Sequence, residues 1–140
     1  MQLFRILLVF FSLVCATNAT AQDTPAELSL QLNAVDTLGE NCRLTFVLKN
    51  ATPEDIDKLV AETVLFSSDG GVVLLTLFDF AALPSGRPRV RQFQIPDNSC
   101  DRIGQVLING VDSCTVGGVA SSICEENLSV SSRVAIELEG

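Results

Sequence analysis

The sequence predicts a mainly all-β chain that folds as an immunoglobulin-like antiparallel β-sandwich of about seven strands with one short helix. Short stretches alternate apolar and polar residues, as half-buried strands do, and turn residues separate these stretches at intervals typical of a sandwich. Cys42 opens the second predicted strand and Cys100 precedes the sixth. These two strands of a sandwich lie in opposite sheets and run in the same direction, so both cysteines fall near one end.

The first two predicted strands come directly before a break in the alternating pattern. Leucines alternate with polar residues in ELSLQLNAV, and Cys42, Leu44, Phe46 and Leu48 alternate with other residues in CRLTFVLKN. A period of two places one set of side chains in a core and the other set in solvent. The next stretch, ATPEDIDKLV, loses this alternation.

That stretch is predicted to be the short helix. Thr52 offers a capping hydroxyl, Pro53 fits the first turn, and the acidic residues that follow suit the positive end of a helix dipole. The apolar residues between Ile56 and Val60 share one helical face. We therefore expect a helix over residues 53–60.

Five further strands are predicted after the helix. ETVLFSS and VVLLTLFDF form a hairpin around Asp69 and Gly70, because glycine readily adopts the positive φ that tight turns require. RVRQFQI and RIGQVLIN follow, and LSVSSRVAIELE closes the chain as one strand with its apolar residues on one face. Between RIGQVLIN and LSVSSRVAIELE, the stretch VDSCTVGGVASSICEEN is predicted to be a loop with a single helical turn.

Residues 1–21 are predicted to be a signal peptide. One basic residue, Arg5, precedes an apolar run that is too short to span a bilayer, and residues 19–21 form an A-x-A cleavage sequence before Gln22. Residues 22–140 then form one disulfide-stabilised domain in the periplasm or outside the cell, with no membrane-spanning segment. A lipid anchor on Cys15 is the weaker alternative, because the valine before it stands where lipoprotein processing requires a small residue.

The predicted mature chain is acidic. Without Arg5 it has 8 basic and 17 acidic residues, which gives a net charge of −9. Such a surface repels nucleic acid and anionic lipid. We interpret the charge as a source of solubility, and we expect no nucleic-acid partner.

Four cysteines remain after the signal peptide, and they predict two disulfides. Three pairings are open to four cysteines. Cys114 and Cys124 are separated by only nine residues, TVGGVASSI, which favours a local bridge and leaves Cys42 to pair with Cys100. A zinc site is the rival interpretation, but the chain has no histidine and no C-x-x-C spacing.

Several kinds of chemistry have no support in the sequence. The absence of histidine excludes Ser-His-Asp and Cys-His nucleophiles, and no glycine-rich nucleotide loop occurs. Glu54, Asp55 and Asp57 raise the question of calcium, but helix-start electrostatics explains them and no EF-hand loop is present. We therefore expect no catalytic residue, cofactor or metal site.

The mature sequence resembles a family of small exported proteins of alphaproteobacteria that often carry the label "Tat pathway signal sequence domain protein". The resemblance rests on CRLTFVLKN, on ETVLFSSDGGVVLLTLFDFAALPSGRPRVRQFQIP, on the four cysteines and on the final SSRVAIELEG. It implies a periplasmic or secreted location and no known activity. Tat export is not carried over, because the twin arginine is missing.

Three alternating arginines, Arg87, Arg89 and Arg91, form the first candidate partner surface. Unbroken alternation would place them on the same side as Phe93 and so bury them at a high cost. We therefore expect a bulge near Arg91-Gln92 that turns Val90 inward and leaves the arginines as a solvated strand face. The alternative is a cradle for an anion or an acidic partner, since arginine matches carboxylates and phosphates.

Val73, Leu75 and Leu77 form the second candidate partner surface. They share parity with Asp79, which should point outward, whereas Val72, Leu74, Phe78 and Phe80 are predicted to face the core. The simplest expectation is that a neighbouring element, such as residues 53–60, covers the three aliphatic side chains. If nothing covers them, they form an exposed apolar patch of the kind that marks a partner interface.

These observations predict an exported, non-enzymatic β-sandwich protein that binds another protein or an envelope component. The alternative is a carboxylate-dependent hydrolase of the glycosidase type, which needs no histidine. It would require two carboxyl groups facing each other across a cleft.

Overall fold

The computed structural model describes residues 27–140; the predicted signal peptide and Cys15 lie outside the described residues. Nine strands and one α-helix follow in chain order: β1 Leu28–Leu38, β2 Asn41–Asn50, β3 Ile56–Ser67, β4 Val72–Leu83, β5 Pro88–Ile95, β6 Ile103–Val116, β7 Val119–Ala120, α1 Ile123–Asn127, β8 Leu128–Ser132 and β9 Glu137–Glu139. A short 3-10 turn, Cys100–Arg102, precedes β6. None of the helices in this range is long and apolar enough to cross a membrane.

The strands form two sheets that pack face to face. The first sheet has the order β5-β2-β1-β8, and the second has the order β4-β3-β6-β7, with β9 also paired to β6. Neighbours pair antiparallel, except that β8 runs parallel to β1 and β9 runs parallel to β6. The predicted mainly-β sandwich is therefore confirmed.

The strand count exceeds the predicted seven at the end of the chain. The stretch predicted as one closing strand is two strands, β8 in the first sheet and β9 in the second. Between them the backbone N–H of Arg133 donates to the Leu32 carbonyl at 2.9 Å, and the Ser132 hydroxyl donates to the Ile136 carbonyl at 2.6 Å. These bonds hold the bend that carries the chain from one sheet to the other. The short strand β7 is the other addition.

A cluster of phenylalanine rings fills the space between the sheets near one edge. Phe46 on β2 is fully buried, and its ring centroid lies 5.6 Å from that of Phe80 on β4. Phe78 on β4 stacks on Phe93 of β5, with the centroids 4.1 Å apart. The contact between β4 and β5 matters for the candidate site, because each strand is an edge of its own sheet.

Both predicted disulfides are present. Cys42 on β2 is bonded to Cys100, just before β6, with an S–S distance of 2.02 Å, so this bridge joins the two sheets. Cys114, near the end of β6, is bonded to Cys124 in α1 with an S–S distance of 2.03 Å. Two disulfides in one small domain are typical of proteins in an oxidising, exported environment.

The helix predicted over residues 53–60 is wrong, because the residues that suggested it have partners elsewhere in the fold. Thr52 is buried, and its hydroxyl donates to the side-chain oxygen of Asn50 at 2.6 Å. Asp55 accepts a hydrogen bond from the backbone of Ser85 at 2.7 Å, and Asp57 accepts one from Gly118 at 2.8 Å. The carboxylates therefore hold distant loops and do not start a helix.

The helix-like spacing of apolar residues in the same stretch has a different origin. β3 begins at Ile56, and its pairing with β4 shifts register between Ile56 and Leu59 and again between Leu59 and Val60. A bulged strand departs from the period of two and so can imitate helical spacing. The α-helix of the described chain is instead α1, in the loop where a single helical turn was predicted.

Candidate functional site

The outer face of the second sheet carries a row of exposed apolar side chains. On β4 the exposed fractions are 66% for Val72, 60% for Leu75 and 52% for Leu77. The strand pairing continues this row inward from the sheet edge, since Leu75 lies opposite Val64 of β3 and Val64 lies opposite Leu107 of β6. The inner part of the row is less exposed, because Val64 is 7% exposed and Leu107 is half-buried. We call this surface the apolar face; its members are Val64, Phe66, Val72, Leu75, Leu77 and Leu107.

Two sequence-based expectations for this surface need correction. The predicted cover is absent, because residues 53–60 enter the same sheet as the start of β3 and do not pack across it. Val73 is also misplaced in the prediction. Leu65 pairs with Leu74 and Phe66 pairs with Val72, so Val73 is the extra residue of a bulge. It packs half-buried against the core, and Val72 takes its place on the outside.

Acidic side chains border the apolar face. Glu62 lies opposite Leu77, Glu139 lies opposite Leu107, and Glu137 lies opposite Gln105. Asp79 follows Leu77 along β4 and lies 4.0 Å from the Lys58 ammonium. The face is thus an apolar centre with a negatively charged margin, an arrangement found at protein interfaces with a polar rim.

The arginine strand differs from its prediction in one respect that changes its role. β2 and β5 pair without a register shift from Cys42–Ile95 to Lys49–Pro88. The expected bulge near Arg91-Gln92 is therefore wrong: Val90 points outward with 56% of its surface exposed, and Arg91 lies half-buried on the same side as Phe93.

The edge position of β5 explains how the sandwich tolerates an inward-pointing arginine. Arg91 Nε donates to the Phe80 carbonyl at 2.7 Å, and Arg91 Nη2 donates to the Ala82 carbonyl at 3.1 Å. The guanidinium thus leaves the core at its rim and meets backbone carbonyls of β4, which reduces the cost of burying its charge. Arg91 therefore links β5, the edge of the first sheet, to β4, which is the edge of the second sheet and carries the exposed leucines.

The other two arginines do not share this arrangement. Arg89 is also half-buried on the same side of β5 as Arg91, so its predicted outward position is wrong, but it donates only to the carbonyl of its own neighbour, Pro88, at 3.1 Å. Arg87 is exposed in the loop before β5. The three arginines therefore have three different environments, and the structure does not direct all of them at one ligand.

We expect Arg91→Ala to lower the free energy of unfolding by about 1–2 kcal/mol, because two carbonyls near the rim lose charged donors. Arg89→Ala, which removes a bond only to the adjacent residue, should change it by less than about 0.5 kcal/mol. Urea unfolding followed by circular dichroism measures both. Arg91→Lys keeps the charge but lacks the fork, and should fall between them. Equal effects of the two alanine variants would contradict this role for Arg91.

A hollow at the β1–β2 turn is lined by two acidic residues. Glu40 and Asp97 line it with Arg102, and its volume is about 320 Å³. Both acidic side chains are exposed. The general acid of a glycosidase usually lies in an apolar pocket, whereas this hollow is lined by exposed polar side chains. Among residues 27–140, no three histidine, cysteine, aspartate or glutamate side chains are grouped as they would be to hold a metal ion.

Within residues 27–140, Asp69 is the titrating group whose pKa is clearly shifted. A hydrogen bond from the Ser67 hydroxyl, supported by the backbone N–H of Gly71, lowers the pKa of the Asp69 carboxyl below its ordinary value. The group is fully exposed at the tip of the β3–β4 hairpin. It therefore stays ionised over the neutral range and presents a negative charge beside the start of β4.

One buried polar group escaped the sequence interpretation. Asn50, at the end of β2, is 1% exposed, and its amide donates to the Glu54 carbonyl at 2.7 Å and to the Leu83 carbonyl at 2.8 Å. Its side-chain oxygen accepts from the backbone and the hydroxyl of Thr52. One residue thus ties the β2–β3 connection to the end of β4. The sequence feature that could have indicated this role is an asparagine at the end of a predicted strand, directly before Ala-Thr-Pro.

No protein-family model and no curated protein matches the sequence. Among solved structures, IrmA from Escherichia coli is similar, with a TM-score of 0.57 at 14% identity over 75% of this chain and 91% of that chain. This likeness shows a shared fold and nothing about function.

Two enzyme structures align less well. The GH20 exo-β-N-acetylglucosaminidase of Vibrio harveyi gives a TM-score of 0.37 at 16% identity over 84% of this chain and 19% of that chain. The alkylpurine DNA glycosylase AlkC of Pseudomonas fluorescens gives 0.30 at 21% identity over 82% of this chain and 30% of that chain. These scores are too low to support an argument about activity.

Proposed function

We propose that this chain is an exported, non-enzymatic β-sandwich protein that binds another protein or an envelope component through the apolar face. The single observation that carries the proposal is the exposure of Val72, Leu75 and Leu77 along one strand. Leaving large aliphatic side chains in water forfeits about 1.5–3 kcal/mol for each one that could be fully buried. A partner that covers them recovers part of that free energy.

Two further features support the proposal. The predicted signal peptide and the two disulfides fit a chain that works in an oxidising compartment outside the cytoplasm. The acidic margin of the apolar face, formed by Glu62, Glu137 and Glu139, would discriminate among partners by charge, because like charges at an interface rim are repelled.

Capture from an envelope extract of the source organism tests the proposal. The tagged mature chain serves as bait and is compared with Leu107→Lys, which places a charge on the β6 side of the apolar face. We expect the wild-type chain to capture a protein or envelope component that the variant loses. The control is Val119→Lys, which adds the same charge at a side chain that is 67% exposed on β7, away from the face.

Circular dichroism and the thermal midpoint establish that all three chains are folded. Capture that Leu107→Lys and Val119→Lys weaken equally would count against the apolar face as the binding surface. The absence of any captured component from the wild-type chain would count against the binding function itself.

A further inference from the structure

We propose that a second copy of this chain pairs with the free edge of β4, antiparallel over Leu74–Phe78 and with the two-fold axis at Thr76. The pairing goes beyond the proposed function. It would join the second sheets of two protomers into one continuous sheet and bring the two apolar faces side by side.

The first observation is the state of the edge itself. β4 ends the order of the second sheet, and within residues 27–140 no strand pairs with its other side. Residues Leu74–Asp79 pair with β3 without a register shift. Alternate residues of such a strand turn their N–H and C=O groups toward the open side, where they can pair with another strand.

The second observation is that this part of the edge has no protection. Natural edge strands avoid pairing with other chains by means of charged residues, prolines or bulges. The stretch LLTLF, residues 74–78, contains no charge, proline or glycine. Protection begins at both of its ends: Val73 forms the bulge described above, and the register shifts again beyond Asp79, where Ala81 has a φ of 57°.

The third observation is that the edge is self-complementary. With the axis at Thr76, Leu75 lies opposite the partner subunit's Leu77, and Leu74 lies opposite the partner subunit's Phe78. The two exposed apolar residues of the stretch, Leu75 and Leu77, then meet each other, while Phe78 stays buried in its own protomer. Cross-strand apolar pairs of this kind add to the stability of a sheet beyond its backbone hydrogen bonds. Leu75 and Leu77 of both copies would form one row of four leucines on the outer surface.

The charges at the ends of the stretch favour a second copy as the occupant. Asp79 lies opposite the partner subunit's Val73, so the two aspartates stand at opposite ends of the pairing. Arg91 covers the Phe80 and Ala82 carbonyls at this end. Because the two strands run antiparallel, the partner subunit's β3–β4 hairpin, whose tip carries the partner subunit's Asp69, lies at the end of the pairing where Arg91 is. By symmetry this attraction occurs twice, and it opposes the repulsion between two predicted mature chains, each of net charge −9.

The first test is the mass of the purified mature chain in solution. Multi-angle light scattering across a wide concentration range should show a shift from the monomer mass to twice that mass as concentration rises. Leu75→Lys plus Leu77→Lys should stay monomeric, because it sets four lysines side by side at the interface, whereas Val119→Lys should dimerise as the wild-type chain does. A wild-type chain that stays monomeric throughout, or equal loss of dimer in both variants, would overturn the proposal.

The second test reads the register. Directly opposite residues of an antiparallel pair have Cα atoms about 4.5–5.5 Å apart, within the range that a disulfide spans. A mixture of Leu75→Cys and Leu77→Cys chains, one with a larger tag, should oxidise mainly to the mixed dimer. Leu75→Cys mixed with Val119→Cys should not. No preference for the mixed dimer in the first mixture would refute the axis at Thr76.

The pairing and the proposed function can fail separately. Leu107 lies two strands away from the free edge of β4, so Leu107→Lys should leave the dimer intact while it weakens capture. A monomeric wild-type chain that still captures its partner would refute the pairing alone. If the wild-type chain is monomeric and a strand of another protein pairs with the β4 edge, Leu75→Lys plus Leu77→Lys should lose capture of that protein. Leu107→Lys should retain it.

Discussion

Replacing Cys42 and Cys100 together by alanine should lower the free energy of unfolding by about 4 kcal/mol. The bridge joins residues 58 apart in sequence, and a loop of that size removes chain entropy from the unfolded state worth about 4 kcal/mol at 25 °C in the loop-closure account. It also links the two sheets, with both cysteines buried. Guanidinium unfolding of the oxidised protein, compared with the double variant, measures the difference.

The second disulfide supplies the matched control. Cys114 and Cys124 are only 10 residues apart, and the same account gives about 3 kcal/mol for this smaller loop. Cys114→Ala plus Cys124→Ala should therefore cost less than the first pair. A larger loss at the short bridge would mean that its contact between β6 and α1, and not loop size, decides its contribution.

The disulfides illustrate what the sequence could predict. Alternation in β1 and β2 identified which side chains enter the core, and the position of Cys42 and Cys100 relative to the strands identified the bridge between sheets. Such inferences depend on periodicity and on chain separation, both of which can be read from the sequence. The sandwich follows from these local patterns because the alternation within each strand shows which of its faces is buried.

The errors occur where a residue's partner is distant in sequence. Asp55 and Asp57 suggested a helix start because no pattern in the chain shows that they bond to the backbones of Ser85 and Gly118. Arg91 suggested a bulge because burying an unpaired guanidinium is costly. The carbonyls of β4, an element of the other sheet, reduce that cost.

The exposed apolar residues were located only in part. Leu75 and Leu77 were identified correctly from parity, and Val73 was not, because the bulge between the Leu65 and Phe66 pairs exchanges Val72 and Val73. A one-residue shift reverses the faces of a strand, and the sequence does not mark this bulge. The exposed edge of β4 could not be predicted at all, since edge position is a property of sheet order.

Asn50 provides the other large expected effect. Asn50→Leu keeps a side chain of similar size but removes every hydrogen bond to it. The Glu54 and Leu83 carbonyls lose a donor and Thr52 loses an acceptor, in a site that is 1% exposed. Each buried polar group left without a partner costs about 1–3 kcal/mol. Because the loops can relax toward water, we expect a total loss of about 3 kcal/mol, measured by urea unfolding.

Asn50→Asp separates the lost donors from the lost acceptor. The introduced carboxyl still accepts from Thr52 but turns an oxygen toward the Glu54 and Leu83 carbonyls in place of the amide N–H groups. Burial and the facing carbonyls both disfavour the carboxylate, so the pKa of the introduced group in the folded state should lie above its unfolded value of about 3.9. The neutral acid can donate to one carbonyl, whereas the carboxylate can donate to neither.

The variant should therefore show a pH dependence that the leucine variant lacks. A group whose pKa is raised by folding favours the folded state below its unfolded pKa and loses that contribution as pH rises through the folded pKa. At about pH 3.5, Asn50→Asp should be less stable than the wild-type chain by no more than the loss of one hydrogen bond costs. At neutral pH its deficit relative to the wild-type chain should be largest. Asn50→Leu should show the same loss of stability relative to the wild-type chain at both pH values. A deficit of Asn50→Asp that stays constant with pH would mean that water reaches the two carbonyls, and that the β2–β3 connection is held to β4 by packing and not by the Asn50 amide.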